Sequence, residues 1–124
     1  GILVVPFVGA YCATKHAIEA IAGSMKAELE PHGVQVATVN PGVFGTGFND
    51  TGAESFVQWY DPETAVVPMP EFGDSLADQA DPQEMIDAMV EIIPADVHLF
   101  RTMRPLATID AAKRWQETEW TQNA

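Results

Sequence analysis

The sequence predicts an α/β protein in which helices alternate with the strands of a parallel sheet. Apolar residues first recur at helical spacing, and a short, β-branched and almost wholly apolar segment follows them. That second pattern is typical of a strand covered on both faces. Helix and strand signals then alternate once more before the chain ends, which favours a parallel sheet.

The first helix is expected from about Tyr11 to Glu30. Its apolar stripe consists of Ala13, Ala17, Ile18, Ile21, Ala22, Met25 and Leu29. Pro31 and Gly33 end it, because proline lacks an amide hydrogen and glycine adopts the left-handed cap. The apolar segment Gly1–Val5 is interpreted as a buried strand or a loop entering this helix.

The second element is a strand over Val34–Asn40, which Pro41 and Gly42 close. Residues 43–80 then carry glycine, proline, asparagine and aspartate at frequent intervals without a sustained period. We expect a long loop there, with one short helix near Ala53–Trp59.

The next helix begins strongly: Asp81 can cap free amides, Pro82 suits the first turn, and Glu84 completes a capping-box pattern. Its buried stripe is predicted to be Met85, Ile86, Met89, Val90 and Ile93. Pro94 ends this helix.

A short strand over Val97–Phe100 and a last helix over about Ile109–Trp120 complete the prediction. Trp115 is the residue of that helix expected to pack inward.

Composition restricts the function classes. A chain of 124 residues is enough for one domain but not for two. The net charge of −12 opposes binding to nucleic acid or to an anionic membrane surface. The lone Cys12 cannot form an internal disulfide, and no apolar run has the length of a membrane span. A cytoplasmic protein is therefore predicted.

Tyr11 and Lys15 are the candidate proton-transfer pair, because residues four apart project from one face of a helix. A phenol is a poor acid or base at neutral pH, and a nearby ammonium group stabilises its ionised form. The alternative is a partly buried tyrosine beside a surface lysine. The sequence Tyr-Cys-Ala-Thr-Lys at this position, with Pro41, Gly42 and Thr46 after the predicted strand, resembles the second half of a short-chain dehydrogenase/reductase.

The resemblance implies a NAD(P)-dependent oxidoreductase that acts on alcohols or carbonyls. Tyr11 would be the general acid/base. Lys15 would lower the pKa of Tyr11 and bind the nicotinamide ribose. Pro41, Gly42 and Val43 would run past the nicotinamide, with the backbone of Val43 and the hydroxyl of Thr46 near its carboxamide. The substrate, and the choice between NAD and NADP, stay open.

The fold implied is the C-terminal portion of a Rossmann-type doubly wound sheet, incomplete as a single chain. One partial domain, 1–124, would consist of four parts. These are the catalytic-motif helix (1–31), the strand and cofactor-side turn (34–46), a substrate-lid loop (47–80) and a helix-strand-helix part (81–124). Trp59 and Tyr60 would either line the lid or attach it to the body.

The family's T-G-x-x-x-G-x-G turn, its N-A-G segment and its catalytic serine have no counterpart in this sequence. The glycines at positions 42, 45, 47 and 52 follow the wrong strand and are not expected to open a helix. A chain of this kind is predicted to be inactive alone.

Two functional hypotheses follow. The first is a dehydrogenase that needs its cofactor-binding half. The second is a noncatalytic, self-associating module derived from a truncated dehydrogenase. In both cases apolar faces lack their usual cover, which predicts a homo-oligomer or a complex with the missing half.

The other candidates are weaker. Twelve acidic residues lie from Asp50 to Asp96 with no Lys or Arg among them, and a solvated acidic face is preferred to a divalent-metal site. No metal site is predicted. Cys12 is interpreted as a buried thiol rather than a reactive one. The three histidines lack the spacing of metal ligands.

Overall fold

The protein is an α/β structure built on a parallel pair of strands, as the sequence predicts. The structure, a computed structural model, describes residues 1–69 and 78–123. In the described residues the helices are α1 (Gly9–Leu29), α2 (Phe48–Trp59), α3 (Gln83–Ile92) and α4 (Thr108–Glu119), with a 3-10 turn at Glu30–His32. The strands are β1 (Thr38–Pro41) and β2 (Arg101–Arg104).

α1 confirms the first predicted helix and begins two residues earlier than expected. Its end follows the predicted chemistry. Gly33 adopts the left-handed conformation, with φ of 74°, and donates its amide hydrogen to the carbonyl oxygen of Glu30 at 3.0 Å. The amide of Val34 reaches back to the carbonyl of Leu29 at 3.2 Å, so the last carbonyls of the helix are satisfied.

Both strands differ from their predicted positions. β1 begins at Thr38, four residues later than predicted, and includes Pro41, which was expected to close the strand. β2 lies directly after Val97–Phe100, the segment predicted to be the strand. The reason is register. Thr38 pairs with Arg101 and Pro41 with Arg104, so the strand facing β1 is the segment that contains two arginines. Val97 and Leu99 are mostly exposed.

The region after β1 contains more helix than predicted. α2 begins at Phe48, five residues before the expected Ala53, and still ends at Trp59. Gly47 supplies the left-handed residue at its start, with φ of 79°, and the side chain of Asn49 donates to the carbonyl oxygen of Phe44 at 3.3 Å. Residues 70–77 of the predicted lid loop lie outside the described residues.

The start of α3 is confirmed in part. A carboxylate oxygen of Asp81 accepts the amide hydrogen of Gln83 at 2.9 Å, as a capping side chain does. Glu84 does not complete a capping box, because its carboxylate accepts the amide hydrogen of Leu106 at 3.0 Å. The predicted buried stripe is wrong except at Met85. Ala88 is its buried neighbour, and the exposed members are Ile86, Met89, Val90 and Ile93.

α4 confirms the last predicted helix but presents a different face to the protein. Ala112 is buried, whereas Trp115 is 45% exposed and donates its indole hydrogen to Glu119 at 3.3 Å. The expectation that Trp115 packs inward was therefore wrong. A small residue fits this helix closely against β2, which the bulk of an indole would prevent.

The core is small, and much of the apolar surface is uncovered. Among the described residues the buried apolar side chains are Cys12, Phe44, Met85, Ala88 and Ala112. The Gly1–Val5 segment is irregular. Of its two interpretations, a buried strand or a loop entering α1, the buried strand is therefore wrong. Leu3, Val4 and Val5 are exposed. No helix formed by residues 1–69 and 78–123 combines the length and apolar character needed to cross a bilayer.

Gly42 is a position where the fold requires glycine. A Cβ atom there would lie 3.0 Å from Cδ of Pro105 and 3.2 Å from the carbonyl oxygen of Arg104, neither of which can move easily. We expect Gly42→Ala to lower the free energy of unfolding by about 1–3 kcal/mol. Urea denaturation followed by circular dichroism measures this change.

Gly23 provides the matched control. A methyl group on Gly23, in the middle of α1, would meet no described atom within 4 Å apart from the neighbouring backbone of its own helix. Because alanine is the better helix former, Gly23→Ala should raise the free energy of unfolding by about 0.5–1 kcal/mol. Equal effects of the two substitutions would contradict the close packing at Gly42.

Candidate functional site

Tyr11 and Lys15 lie on the same side of α1, near its start. The Nζ atom of Lys15 is 5.3 Å from the centroid of the Tyr11 ring, within the distance of a cation–π interaction. Tyr11 is 46% exposed. Cys12 points the other way and is buried, so the first turns of α1 are fixed on one side and open on the other.

The turn after β1 approaches Tyr11 from a second direction. The amide of Gly42 donates to the carbonyl oxygen of Arg104 at 2.7 Å, which extends the sheet pairing beyond Pro41. Ala80 brackets the following residues: its amide donates to the carbonyl of Val43 at 3.0 Å, and its carbonyl accepts from Gly45 at 3.0 Å. The backbone of this turn is therefore held from both sides.

The beginning of α2 completes a cleft around Tyr11. The ring centroids of Tyr11 and Phe48 are 6.2 Å apart, with the rings tilted by 42°. The cleft has a volume of about 390 Å³. Its lining residues are Val5, Val8, Tyr11, Val43, Phe48, Asn49, Gly52, Ala53, Ser55 and Phe56.

The structure brings some of the sequence-predicted site residues together and separates others. Tyr11 and Val43 line the same cleft. Thr46 instead lines an adjoining depression, which shares Phe48 with the cleft. Pro41 and Gly42 lie at the end of β1 and are not among the lining residues of either.

An aromatic clasp, formed by Phe7, Phe56, Trp59 and Tyr60, holds α2 to the segment before α1. The ring of Phe7 lies 6.4 Å from that of Phe56 and 6.5 Å from that of Tyr60. Trp59 stacks edge-on against Phe56 at 5.2 Å. Neither Trp59 nor Tyr60 is among the lining residues of the cleft. The sequence left two roles open for these residues, lining the lid or attaching it to the body, and the ring contacts favour attachment.

The glycines after β1 do open a helix, which the sequence analysis did not expect. α2 begins directly after Gly47, so the order is strand, glycine-containing turn, helix. The first turn of α2 nevertheless carries Asp50, whose carboxylate accepts the side-chain amide of Gln79 at 3.0 and 3.2 Å. A carboxylate in the first turn disfavours a phosphate at this helix start.

A polar cluster that the sequence analysis missed joins α1 to both strands. Glu19 accepts a hydrogen bond from the side-chain amide of Asn40 on β1 and another from Nη2 of Arg101 on β2, the latter at 2.6 Å. Thr38 donates its hydroxyl hydrogen to the amide oxygen of Asn40 at 3.2 Å. The Glu19 side chain is 13% exposed and the Arg101 side chain 36% exposed, so this ion pair is partly buried.

The ionisation of Glu19 reflects these contacts. Burial raises the pKa of its carboxyl, but the hydrogen bonds from Asn40 and Arg101 and the charge of Arg101 outweigh burial and leave the pKa below its ordinary value. Two signals in the sequence could have indicated the cluster. Glu19 continues the four-residue spacing of Tyr11 and Lys15, and Arg101 is the first basic residue after Lys26.

The remaining candidates have structural partners. Nδ1 of His16 is hydrogen-bonded to the carbonyl oxygen of Cys12 at 2.8 Å, and Ser24 donates to Glu28 at 2.8 Å. Cys12 is buried against the protein, as interpreted from the sequence. Within residues 1–69 and 78–123, no group of three His, Cys, Asp or Glu side chains is arranged to hold a metal ion.

The first part of the chain is similar to known proteins. Residues 1–55 match the family model described as short chain dehydrogenase, and this range contains every site residue proposed from the sequence. The match supports a relationship between this part of the chain and the short-chain dehydrogenases. No solved structure matches the chain.

Several curated proteins are similar over short stretches. The chain is 38% identical over 50 residues to 3-ketodihydrosphingosine reductase of Bacteroides thetaiotaomicron, which covers 40% of this chain and 19% of that protein. It is 39% identical over 44 residues to human 17-beta-hydroxysteroid dehydrogenase type 6, covering 36% and 14%. It is 46% identical over 41 residues to mouse retinol dehydrogenase 16, covering 33% and 13%. Each match therefore spans less than a fifth of the relative's own length.

Replacement of Glu19 tests the polar cluster. Glu19→Gln leaves the guanidinium of Arg101 partly buried without its counter-charge, so we expect the free energy of unfolding at pH 7 to fall by about 1–3 kcal/mol. Because the pKa of Glu19 is lowered on folding, its contribution is complete above the ordinary value of 4.5 and disappears as the pH falls through the lower, folded value. Urea denaturation at pH 7 and below pH 4 measures both effects.

Glu28→Gln is the control, since it removes the same charge from an exposed position of α1. It should change the free energy of unfolding by less than about 0.5 kcal/mol. If the difference in free energy of unfolding between wild type and Glu19→Gln stayed constant with pH, the ionic role of Glu19 would be contradicted.

Proposed function

We propose that this chain supplies the proton-transfer and nicotinamide-side part of a NAD(P)-dependent oxidoreductase that interconverts alcohols and carbonyls. The observation that carries the proposal is the position of the Lys15 ammonium over the ring of Tyr11, at a cleft large enough for a small molecule. The match of residues 1–55 to the short chain dehydrogenase model supports it independently.

A bound NAD(P) would supply the hydride chemistry at the carbonyl or carbinol carbon, and the residues of this chain would handle the proton. Tyr11 exchanges its hydroxyl proton with the substrate oxygen. Lys15 provides the positive charge that stabilises Tyr11 when the phenol has given up its proton. Tyr11 is 46% exposed and lines the cleft, so we propose that its hydroxyl meets a substrate held there.

The residues present suit the nicotinamide end of the cofactor and not its phosphates. Val43 and Thr46 are exposed beside the cleft, while the amide of Gly42 and the carbonyl of Val43 are already engaged by the sheet and by Ala80. Lys15 would meet the ribose. The sequence has no T-G-x-x-x-G-x-G turn and carries a net charge of −12, so we propose that pyrophosphate binding requires residues outside this chain.

The test begins with the coding sequence upstream of Gly1. The proposal expects a T-G-x-x-x-G-x-G turn there and a serine close to Gly1. The extended protein should oxidise NADH or NADPH in the presence of ketones, and the 124-residue chain alone should have negligible turnover. An extended protein that contains the turn, folds and still does not bind either cofactor in calorimetry would overturn the proposal.

Tyr11→Phe in the extended protein tests the proton-transfer role. Removing the hydroxyl should lower kcat at least about 100-fold, because a positioned general acid contributes about 10²–10⁴-fold. Tyr60→Phe is the matched control. It removes a hydroxyl that donates to the carbonyl of Val67 at 3.2 Å, away from the cleft, and should leave kcat within about twofold. Steady-state oxidation of the reduced cofactor measures both variants.

A second candidate function is a noncatalytic, self-associating module, and the exposed apolar face of α1 favours it. Ile18, Ile21 and Met25 share one stripe of this helix and are each at least 42% exposed. We propose that this α1 stripe packs against a second copy of the chain. The cytoplasm is the compartment we propose for either function.

Self-association has a direct measurement. Light scattering after gel filtration at about 50 µM should give a mass of at least twice the chain's 13.4 kDa. Ile21→Glu should shift the protein to monomer, because a charge in an apolar interface is not solvated. Val57→Glu, at an exposed position of α2, should leave the mass unchanged. A monomeric wild type would contradict the homo-oligomer.

A further inference from the structure

We propose that the cleft beside Tyr11 selects an uncharged substrate with an extended apolar body, such as a medium-chain ketone or secondary alcohol. This inference rests on the proposed function for the reaction at Tyr11, but the cleft's preference for a ligand can be measured without turnover. It concerns the walls of the cleft rather than the proton-transfer pair.

The chemistry of the lining carries the inference. Of the ten lining residues none has a charged side chain, and six present aliphatic or aromatic groups larger than alanine: Val5, Val8, Tyr11, Val43, Phe48 and Phe56. The volume of about 390 Å³ lies within the range of roughly 300–1000 Å³ in which proteins bind small molecules. An apolar body longer than a few carbon atoms would therefore be removed from water on binding.

The polar groups in the lining are few, and one is already engaged. The side-chain amide of Asn49 donates to the carbonyl of Phe44 and to the side-chain oxygen of Gln79, each at 3.3 Å. Ser55 lies on the same face of α2. The hydroxyl of Tyr11 can hydrogen-bond to the substrate oxygen and exchange its proton with it. The reactive end of the substrate is therefore oriented toward α1.

Charge discriminates against anionic substrates. None of the ten lining residues is Lys, Arg or His, and the ammonium of Lys15 lies over the ring of Tyr11, at the reactive end of the cleft, so a carboxylate or phosphate at the other end meets no cation among these lining residues. Asp50 and Glu54 add negative charge to the helix that forms one wall. A carboxylate at the far end of a substrate would lose its hydration without gaining a partner.

Ring contacts join the two segments that form the walls of the cleft. Val5 and Val8 belong to the segment before α1, while Phe48 and Phe56 belong to α2, and the aromatic clasp joins these two segments through Phe7. Phe7 has φ of 70°, a strained value for a residue with a side chain, which its ring contacts hold in place. Gly1 also lies close against the backbone of α1.

The binding experiment uses the 124-residue chain labelled with ¹⁵N and three probes: octan-2-one, 7-oxooctanoate and propan-2-one. We expect octan-2-one to shift, in a saturable way, the amide signals of Val8, Tyr11, Phe48 and Ala53. The dissociation constant for 7-oxooctanoate, which has the same ketone and chain length plus a carboxylate, should be at least tenfold larger. Propan-2-one should not saturate.

Phe48→Ser and Val57→Ser localise the effect. Both residues are exposed apolar side chains of α2, 64% and 70% accessible, but only Phe48 lines the cleft. Phe48→Ser should weaken octan-2-one binding about tenfold, and Val57→Ser should leave it within twofold. Equal weakening by both variants, or saturable shifts confined to Ile86, Met89, Val90 and Ile93 on α3, would overturn the inference.

The extended protein separates this inference from the proposed function. Saturable, localised binding of octan-2-one without any cofactor-dependent turnover would support the cleft's selectivity and contradict the oxidoreductase. Turnover with kcat/KM at least as high for 7-oxooctanoate or propan-2-one as for octan-2-one would support the oxidoreductase and overturn the substrate class.

Discussion

The carboxylate of Glu19 is the contact on which the arrangement of this chain depends. It joins α1 to Asn40 on β1 and to Arg101 on β2, and these two strands form the sheet of the described residues. Tyr11 and Lys15 precede Glu19 on the same helix by two turns and one turn. The rotation of α1 about its axis, which decides whether these side chains face the end of β1, is therefore set by a charged hydrogen-bond cluster. An ion pair of this kind fixes geometry more strictly than apolar contact, because it requires both distance and direction.

The apolar contribution to the same arrangement is modest. Small or flexible side chains such as Ala88, Ala112 and Met85 fill most of the core, and α3 and α4 pack on β2. The exposed stripe on α1 and the exposed face of α3 together present more large apolar side chains than the core contains. The polar pairing at Glu19 and the exposed apolar side chains both follow from the narrow sheet. A wider sheet would cover the helix surfaces that are exposed here.

The cleft shows how separate local structures produce one chemical environment. The turn after β1, the start of α2 and the segment before α1 each contribute lining residues to the cleft. The left-handed Gly47 begins α2 at the point where Phe48 can meet Tyr11, and the aromatic clasp prevents α2 from moving away. The resulting site is an open cleft whose lining side chains, such as Phe48 and Tyr11, keep much of their surface exposed.

Local patterns in the sequence were sufficient for α1, α3 and α4, for the capping role of Asp81 and for the shared face of Tyr11 and Lys15, but not for the start of α2. Each of these depends on residues within a few positions, through helical spacing, capping hydrogen bonds and the restrictions of proline and glycine. The strand at Arg101–Arg104 could not be found in this way, because a segment with two arginines becomes a strand only when Thr38 pairs with it and Glu19 neutralises its first residue. The inward position of Ala112 rather than Trp115, and the apolar cleft itself, were likewise decided by tertiary contact, since hydrophobicity alone does not say which surface a neighbouring element will cover.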